Sequence, residues 1–326
     1  MLFLCLGCVT LVILSLVSVA IGSRTIPLNE VFHAFSDPAD SSVSAAAARL
    51  RVPRTILGIL AGVALAVAGT LMQGMTRNPL ADPSILGLNS GAAFAIVVSM
   101  AFFGLNTPKQ FIWVALIGSA IAALAVWLLG SMGPSGATIL KLTLAGAVVT
   151  AMLSSLTSAI LLPRIQVIST YRFWQVGGLS GARFALMVPV LPMLIGGLTL
   201  ALLTIPGINA LAMGDELAEG LGSRVKFTRG VAWIAAVLLS AGTTSLAGPI
   251  GFVGLVVPHA ARLLVGSDYR HILAASAVLG PILLLAADII GRVLTRPSDV
   301  EVGIVTAIIG APFFIILARG RMLRQV

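Results

Sequence analysis

Charged side chains are scarce in this sequence. Lys, Arg, Asp and Glu make up 10% of the 326 residues, whereas apolar residues make up 58% and the mean hydropathy is +1.09. Because soluble domains carry about a quarter of their residues as charges, an ordinary soluble domain is excluded. The chain consists instead of apolar stretches of about twenty residues, each long enough to cross roughly 30 Å of hydrocarbon as a helix.

Residues that bind metals are equally few. Cys5 and Cys8 are the two cysteines, and they form a C-x-x-C pair inside the first apolar stretch with no second pair or histidine nearby. This context favours small apolar packing over a metal site. The three histidines, His33, His259 and His271, lie apart in sequence and show no ligand spacing. We therefore predict no metal-binding residue in the chain.

The sequence has no room for a nucleotide-binding domain. Its longest polar gaps cover residues 23–53 and 206–228, and neither contains a phosphate-binding loop. We therefore predict no catalytic and no cofactor-binding residue. Any ATP that drives this protein, and the Mg that accompanies it, would be bound by a separate polypeptide.

The apolar segments predict an all-α polytopic membrane protein with about ten transmembrane helices. Strands of a barrel would alternate in units of about ten residues, which these segments do not. We expect residues 1–326 to form a single transmembrane domain. Its first segment lacks a preceding basic region and is interpreted as a retained helix rather than a signal peptide. The segments span residues 2–22, 55–75, 86–104, 111–131, 139–162, 186–205, 229–248, 249–266, 272–295 and 302–319.

The distribution of cations bears on the orientation. An even helix count puts both termini on one side, and Arg319, Arg321 and Arg324 favour the cytoplasm. With that topology, ten Lys and Arg residues lie inside and ten lie outside, so the usual excess of cations in cytoplasmic loops is absent. Nine of the ten outer cations are Arg, which suits bidentate carboxylate pairing. Either the topology is wrong or, as we favour, an acidic partner docks outside. The net charge of +9 is attributed to basic loops and not to nucleic-acid binding.

The sequence also contains a faint internal repeat. GVALAVAGTLMQG, followed by PLADPSILGLNSGAA, has a rough counterpart in VLLSAGTTSLAGPIGFVGLVVPHAAR. Five crossings separate the two copies, so the repeats would be inverted in the membrane, as in many transporters. In the second copy Gly248, Pro249 and Gly251 break the helix. Irregular backbone at membrane depth is tolerated only where it is buried or lines a cavity.

The inner polar loop, residues 206–228, contains a short amphipathic helix. Asp215, Glu216 and Glu219 lie near its start, and Arg224 and Lys226 follow its end, an order that suits the helix macrodipole. Such a helix is either a simple surface element or a lever that a soluble motor can push.

Six segments together carry a family resemblance. The sequence resembles the FecCD-type (cobalamin- and siderophore-type) permeases of bacterial ABC importers, and the matching segments occur in family order over nearly the whole chain. They are RVPRTILGILAGVALAVAGTLMQGMTRNPLADPSILGLNSGA (51–92), LKLTLAG (140–146), WQVGGLSG (174–181), MGDELAEGLG (213–222), AGPIGFVGLVVPHAAR (247–262) and VGIVTAIIGAPFFIILAR (302–319).

The resemblance implies a BtuC-like permease fold with inverted helix repeats. It also implies the partners: a second permease subunit (a paralogue or a copy of this chain), two ATPase subunits inside, an extracytoplasmic substrate-binding protein, and membrane lipid around the bundle. Docking of the binding protein is implied for Arg51, Arg54 and Arg292.

The resemblance further assigns ATPase coupling and the transport pathway. In the family the fifth, eighth and tenth helices border the cavity. The implied gate and pathway residues are Thr138, Ile139, Leu140, Gly248, Pro249 and Gly251. The implied coupling residues are Met213, Gly214, Asp215, Glu216, Leu217, Ala218, Glu219, Gly220, Leu221 and Gly222.

The expected function is that of a multi-pass permease subunit in the bacterial inner membrane, with both termini cytoplasmic. It would belong to an ATP-driven importer of a chelated iron compound, with a ferric siderophore preferred and haem or cobalamin as alternatives. A less favoured hypothesis is an ion-coupled secondary transporter, which needs an acid near mid-membrane. The one buried-looking acid, Asp288, already has Arg292 as an i,i+4 partner.

Overall fold

The computed structural model describes residues 2–22, 27–37, 42–132, 138–296 and 298–319, and within these ranges it contains α-helices and no strands. A short 3-10 turn, Pro83–Leu86, precedes α4. The helices are α1 (Leu2–Ala20), α2 (Leu28–Ser36), α3 (Val43–Thr76), α4 (Leu88–Phe103), α5 (Pro108–Ser131), α6 (Ile139–Leu161), α7 (Ile165–Gln175), α8 (Phe184–Met187), α9 (Leu191–Ala212), α10 (Asp215–Gly220), α11 (Val225–Ala247), α12 (Val253–Val265), α13 (Tyr269–Leu294) and α14 (Val302–Arg319).

Each of the ten predicted segments overlaps an apolar helix of the structure. Seven helices among the described residues are long and apolar enough to cross a membrane. Three shorter apolar helices, Leu88–Phe103, Val253–Val265 and Val302–Phe313, fall on the remaining predicted segments. The predicted all-helical, multi-pass architecture is therefore confirmed. The orientation stays a prediction, and Arg321 and Arg324, on which it partly depends, lie outside the described residues.

Two helices, α3 and α9, run farthest past the boundaries predicted for them. The prediction for α3 began at residue 55, but the helix begins at Val43, where the Ser42 side chain accepts a hydrogen bond from the Ala45 N–H, and it continues through Pro53. Likewise α9 continues through Pro206 to Ala212, so residues 206–212 of the predicted loop are helical. Proline is tolerated inside helices at membrane depth because neighbouring helices satisfy the backbone groups that it frees.

Helix α3 is the centre of the bundle, where glycines let other helices approach closely. A Cβ on Gly62 would lie 2.5 Å from the Pro281 nitrogen of α13, and a Cβ on Gly69 would lie 1.9 Å from the Gly254 carbonyl oxygen of α12. Backbone contact of this kind is how small residues stabilise helix pairs in lipid. With 34 residues α3 is roughly 50 Å long. We name the beginning of α3, where Arg51 and Arg54 lie, the arginine end of the bundle. The other end of α3, at Thr76 beside α10, is named the α10 end.

The predicted break between α11 and α12 is present and buried against another chain segment. Gly248 has φ +71° and Phe252 has φ +69°, so the chain leaves one helix and enters the next through left-handed backbone. The Gly178 N–H donates to the Ala247 carbonyl at 2.7 Å, and the Gly303 N–H donates to the Gly177 carbonyl at 3.0 Å. Residues near 177 therefore satisfy the end of α11 and join it to the start of α14.

Candidate functional site

Arg54 and Arg292 share one buried carboxylate at the arginine end. Arg54 Nε and Nη2 donate to Asp288 Oδ1 at 3.0 and 2.8 Å, and Arg292 Nη2 pairs with Asp288 Oδ2 at 2.8 Å. Asp288 is fully buried, whereas Asp299, which accepts from Arg54 Nη1 at 2.8 Å, is 31% exposed. The predicted pair of Asp288 with Arg292 is confirmed. The pairing of Arg54 with two acids was not visible in the sequence.

Arg51 and Arg292 also satisfy the C-terminal carbonyls of α1. Arg292 Nη1 donates to the carbonyls of Ser18 at 2.9 Å and Ile21 at 3.1 Å, and Arg51 Nη1 donates to those of Val19 at 3.2 Å and Ala20 at 3.1 Å. The last carbonyls of a helix lack intrahelical partners and attract cations. The three arginines predicted to dock a partner thus lie together, but they are mostly buried, and two of them hold α1 to the bundle.

At the α10 end, Asp215 joins three helices. Its Oδ1 accepts from Arg229 Nη2 at 2.8 Å and lies 3.4 Å from Arg77 Nη2. Arg229 Nε also donates to the Met75 carbonyl, at 3.4 Å. The first residue of α10 is therefore held by ion pairs to the end of α3 and the start of α11. Sequence reasoning placed Asp215 on a partner-facing helix and missed this internal role.

Three large apolar side chains are exposed in and beside α10, and together they are named the apolar stripe of α10. Met213, Leu217 and Leu221 recur at intervals of four residues and are 59%, 59% and 69% exposed, whereas Ala218 faces inward and is fully buried. Glu216 and Glu219 are also exposed. Large exposed apolar side chains on a polar loop are typical of a surface that contacts another protein or the membrane. The i, i+4, i+8 spacing was the sequence signal for this apolar stripe.

Two glycines shape the ends of α10. Gly214 precedes the helix at φ +109°, and Gly222 follows it at φ +80°. The Ser223 N–H donates to the Ala218 carbonyl at 2.9 Å and the Gly222 N–H donates to the Glu219 carbonyl at 2.9 Å, which together form a Schellman termination. The left-handed backbone that both positions need favours glycine, so α10 has sharp boundaries on both sides.

A second polar junction fixes the neighbouring loop at the α10 end. Asp268 caps α13 by accepting from the Arg270 N–H at 2.8 Å, and its carboxylate also accepts from Asn209 Nδ2 at 2.8 Å. The hydrogen bond from the backbone, followed by that from Asn209, lowers the pKa of the Asp268 carboxyl below its ordinary value. The end of α9, which leads into α10, is in this way attached to α13.

A polar cavity of about 340 Å³ lies between α4, α6 and α7. The rings of Tyr171 and Trp174 stack in its wall with their centroids 6.2 Å apart, and Trp174 Nε1 has no hydrogen-bond partner among the described residues. Its other polar lining residues are Asn89, Ser90, Ser154, Thr157, Ser158 and Gln175. Uncharged hydroxyl and amide groups can hydrogen-bond a polar solute without holding it by charge.

Only some of the predicted gate and pathway residues lie at or near this cavity. Pro249 lines it, Gly248 lies against the Trp174 carbonyl, and the Cβ position of Gly251 has open space around it. Thr138 caps α6 by accepting from the Lys141 N–H, and Leu140 is 69% exposed. Residues 133–137 and the Ile139 side chain lie outside the described part of the chain. The three helices expected to border the pathway, the fifth, eighth and tenth predicted segments, are α6, α12 and α14 of the structure. Of these, α6 contributes most to the cavity.

Comparison with known proteins shows which family this chain belongs to. Residues 10–320 match the FecCD transport family. The chain is 43% identical over 310 residues to the ferric enterobactin transport system permease protein FepD of Escherichia coli, covering 95% of this chain and 92% of the relative. It is 38% identical over 316 residues to the probable siderophore transport system permease protein YfiZ of Bacillus subtilis, covering 96% and 95%.

A cobalamin relative and a solved structure extend the comparison. The cobalamin import system permease protein BtuC of Halobacterium salinarum is 37% identical over 282 residues, covering 85% of this chain and 74% of the relative. A structure described as an inward-facing conformation of a metal-chelate type ABC transporter superimposes with a TM-score of 0.77 at 24% identity, covering 97% of this chain and 98% of that one, and supports the fold. The protein is a multi-pass membrane permease that belongs to the FecCD transport family.

Proposed function

We propose that this permease is the membrane-spanning subunit of an ATP-driven importer for a chelated iron compound, with a ferric siderophore as the preferred substrate. The observation that carries the proposal is the similarity along nearly the whole chain to permeases named for ferric enterobactin and siderophore transport. In the described part of the chain, the polar cavity beside α6 offers hydroxyl and amide groups that can hydrogen-bond a solute bearing many oxygen atoms.

The proposed mechanism assigns this chain three tasks and no bond-making chemistry. An extracytoplasmic binding protein docks at the arginine end, and one of the two ATPase subunits binds the apolar stripe of α10. ATP binding moves α10, and the ion pairs of Asp215 transmit that motion to α3 and α11. The pathway between this chain and a second permease then opens to the other side. ATP and Mg belong to the ATPase subunits.

The test is uptake by the assembled importer in proteoliposomes, with iron-loaded catecholate and hydroxamate siderophores, haem and cobalamin compared side by side. We expect uptake of one ferric siderophore that is lost without ATP. Uptake of cobalamin, for which the Halobacterium salinarum relative is named, would keep the transporter class and overturn the substrate. Transport that ignores ATP and follows a proton gradient would overturn the class.

Filling the polar cavity should slow transport. In Ser158→Phe a large ring would enter the lining, and we expect ATP-dependent uptake to fall by about tenfold, because a translocating solute must pass the narrowed volume. Ser155→Phe is the matched control, since Ser155 is exposed on the same helix and does not line the cavity. Equal uptake by the two variants would show that the cavity lies off the pathway.

The pairing of Asp288, the acid that a secondary transporter would use, disfavours that class of transporter. Asp288 is fully buried and shared by Arg54 and Arg292. Both carboxylate oxygens of Asp288 lie beside guanidinium groups, so neither is left open to bind a coupling ion. The arrangement suits a structural ion cluster better than a proton relay.

A further inference from the structure

Arg54 has a single guanidinium edge that faces an exposed side chain. Its Nε and Nη2 are both engaged by Asp288, which has no exposed surface. Its Nη1 donates to Asp299 Oδ2 at 2.8 Å, and the Asp299 side chain is 31% exposed. A carboxylate from another protein can therefore approach Arg54 only where Asp299 now lies.

Among the described residues, neither Arg51 nor Arg292 has a guanidinium edge that faces an exposed acid in the way that Arg54 Nη1 faces Asp299. Arg292 is 2% exposed, and its guanidinium is occupied by Asp288, by the Ser18 side chain and by carbonyls at the end of α1. Arg51 is 8% exposed and donates to the carbonyls of Val19 and Ala20. Breaking either set would release the end of α1 and leave a buried charge, which costs several kcal/mol.

The two acids on Arg54 differ in how firmly they are held. Asp288 lies within α13 and makes contacts to two arginines. Asp299 lies in the short non-helical connection between α13 and α14 and pairs with Arg54 alone among the ion pairs of the described residues. A partly solvated pair of this kind contributes about 1 kcal/mol or less. The Asp299 contact is therefore the one that can be exchanged at low cost.

We infer that Asp299 occupies the position on Arg54 Nη1 that a carboxylate of the docking protein takes when it binds. Docking is then an exchange of one carboxylate for another on the same guanidinium. The exchange leaves the pairs of Asp288 and the capping of α1 intact, so an acidic partner can bind a cluster that is mostly buried. This inference rests on the proposed docking of an acidic protein at the arginine end.

The test is Asp299→Asn in the full importer in nanodiscs, probed with the purified substrate-binding protein of the same transport system. Removing the competing charge should lower the Kd for that protein by about three- to fivefold, which corresponds to the loss of one partly solvated ion pair. Glu30→Gln is the matched control. Glu30 is an exposed acid of α2, beside the start of α3, and its neutralisation changes the net charge equally without freeing Arg54. We expect its Kd to change by less than about twofold, since it contributes only long-range electrostatics.

Arg54→Lys separates this inference from the docking proposal. Lysine keeps the buried positive charge beside Asp288 but lacks the second guanidinium edge, so docking should weaken. If Arg54→Lys weakens docking and Asp299→Asn leaves the Kd unchanged or raises it, Asp299 is not a competitor, and the exchange is refuted while docking at Arg54 stands. If Arg54→Lys leaves the Kd unchanged, docking at Arg54 itself is refuted.

Discussion

Replacing Asp288 with alanine is expected to destabilise the folded permease by about 3–5 kcal/mol, because it leaves the buried guanidinium of Arg292 without a counter-charge and Arg54 with only the partly exposed Asp299. Arg54 and Arg292 are 8% and 2% exposed and both pair with this carboxylate at 2.8 Å. Without Asp288 they would repel each other in a volume that water hardly reaches. The three helices that meet there, α1, α3 and α13, would lose their common junction.

The measurement is the melting temperature of the purified protein in detergent, where we expect Asp288→Ala to lower Tm by roughly 10 °C. Asp299→Asn, which removes the partly exposed acid of the same cluster, should shift Tm by no more than about 2 °C. A melting temperature of Asp288→Ala close to that of the unmodified protein would contradict the role assigned to the buried carboxylate. The comparison also shows whether the cluster is chiefly structural, as the burial of its arginines indicates.

Replacing Leu217 with aspartate is expected to reduce ATP-dependent uptake by more than about tenfold while leaving the melting temperature unchanged. Leu217 is the middle of the apolar stripe of α10 and is 59% exposed in the isolated chain. If the stripe enters a cleft of an ATPase subunit, a carboxylate there would be desolvated without a partner, at a cost of several kcal/mol. The folded permease does not bury this side chain and should tolerate the change.

Leu217→Met is the matched control, because methionine keeps an apolar side chain of similar volume, and near-normal uptake is expected. Co-purification of the ATPase subunits with each variant shows whether the loss arises in assembly or in coupling. Uptake by Leu217→Asp within about twofold of normal would show that the stripe is not the ATPase contact. In that case the role proposed for residues 213–222 would be refuted, although the anchoring of α10 by Asp215 would stand.

The helical segments were predictable because hydropathy and length are local properties. All ten segments recur as helices, and the glycine break at Gly248 lies where the sequence placed it. The predicted beginning of α3 was wrong because the apolar run starts near residue 55, whereas the helix itself begins at Val43 and continues through Pro53. Proline is a weak stop signal where neighbouring helices supply the missing hydrogen bonds.

The sites were predictable only in outline. Resemblance led to Arg51, Arg54 and Arg292, and the structure brings them together, but no sequence pattern linked Arg54 to Asp288 across 234 positions. The apolar stripe of α10 follows from the regular spacing of three residues close together in the sequence, whereas the pairing of Asp215 with Arg77 joins parts of the chain that are far apart.

The sequence by itself determined the class of protein, the approximate places of its apolar helices, and its family. These depend on properties of single segments, namely the free energy of placing an apolar helix in lipid and the order of family motifs. The tertiary structure alone decided which charges are paired, which arginine edge faces an exposed acid, and which hydroxyl groups share a cavity. Those relations depend on distances across helix contacts, and in this bundle glycines such as Gly62 and Gly69 set those distances by letting backbones touch.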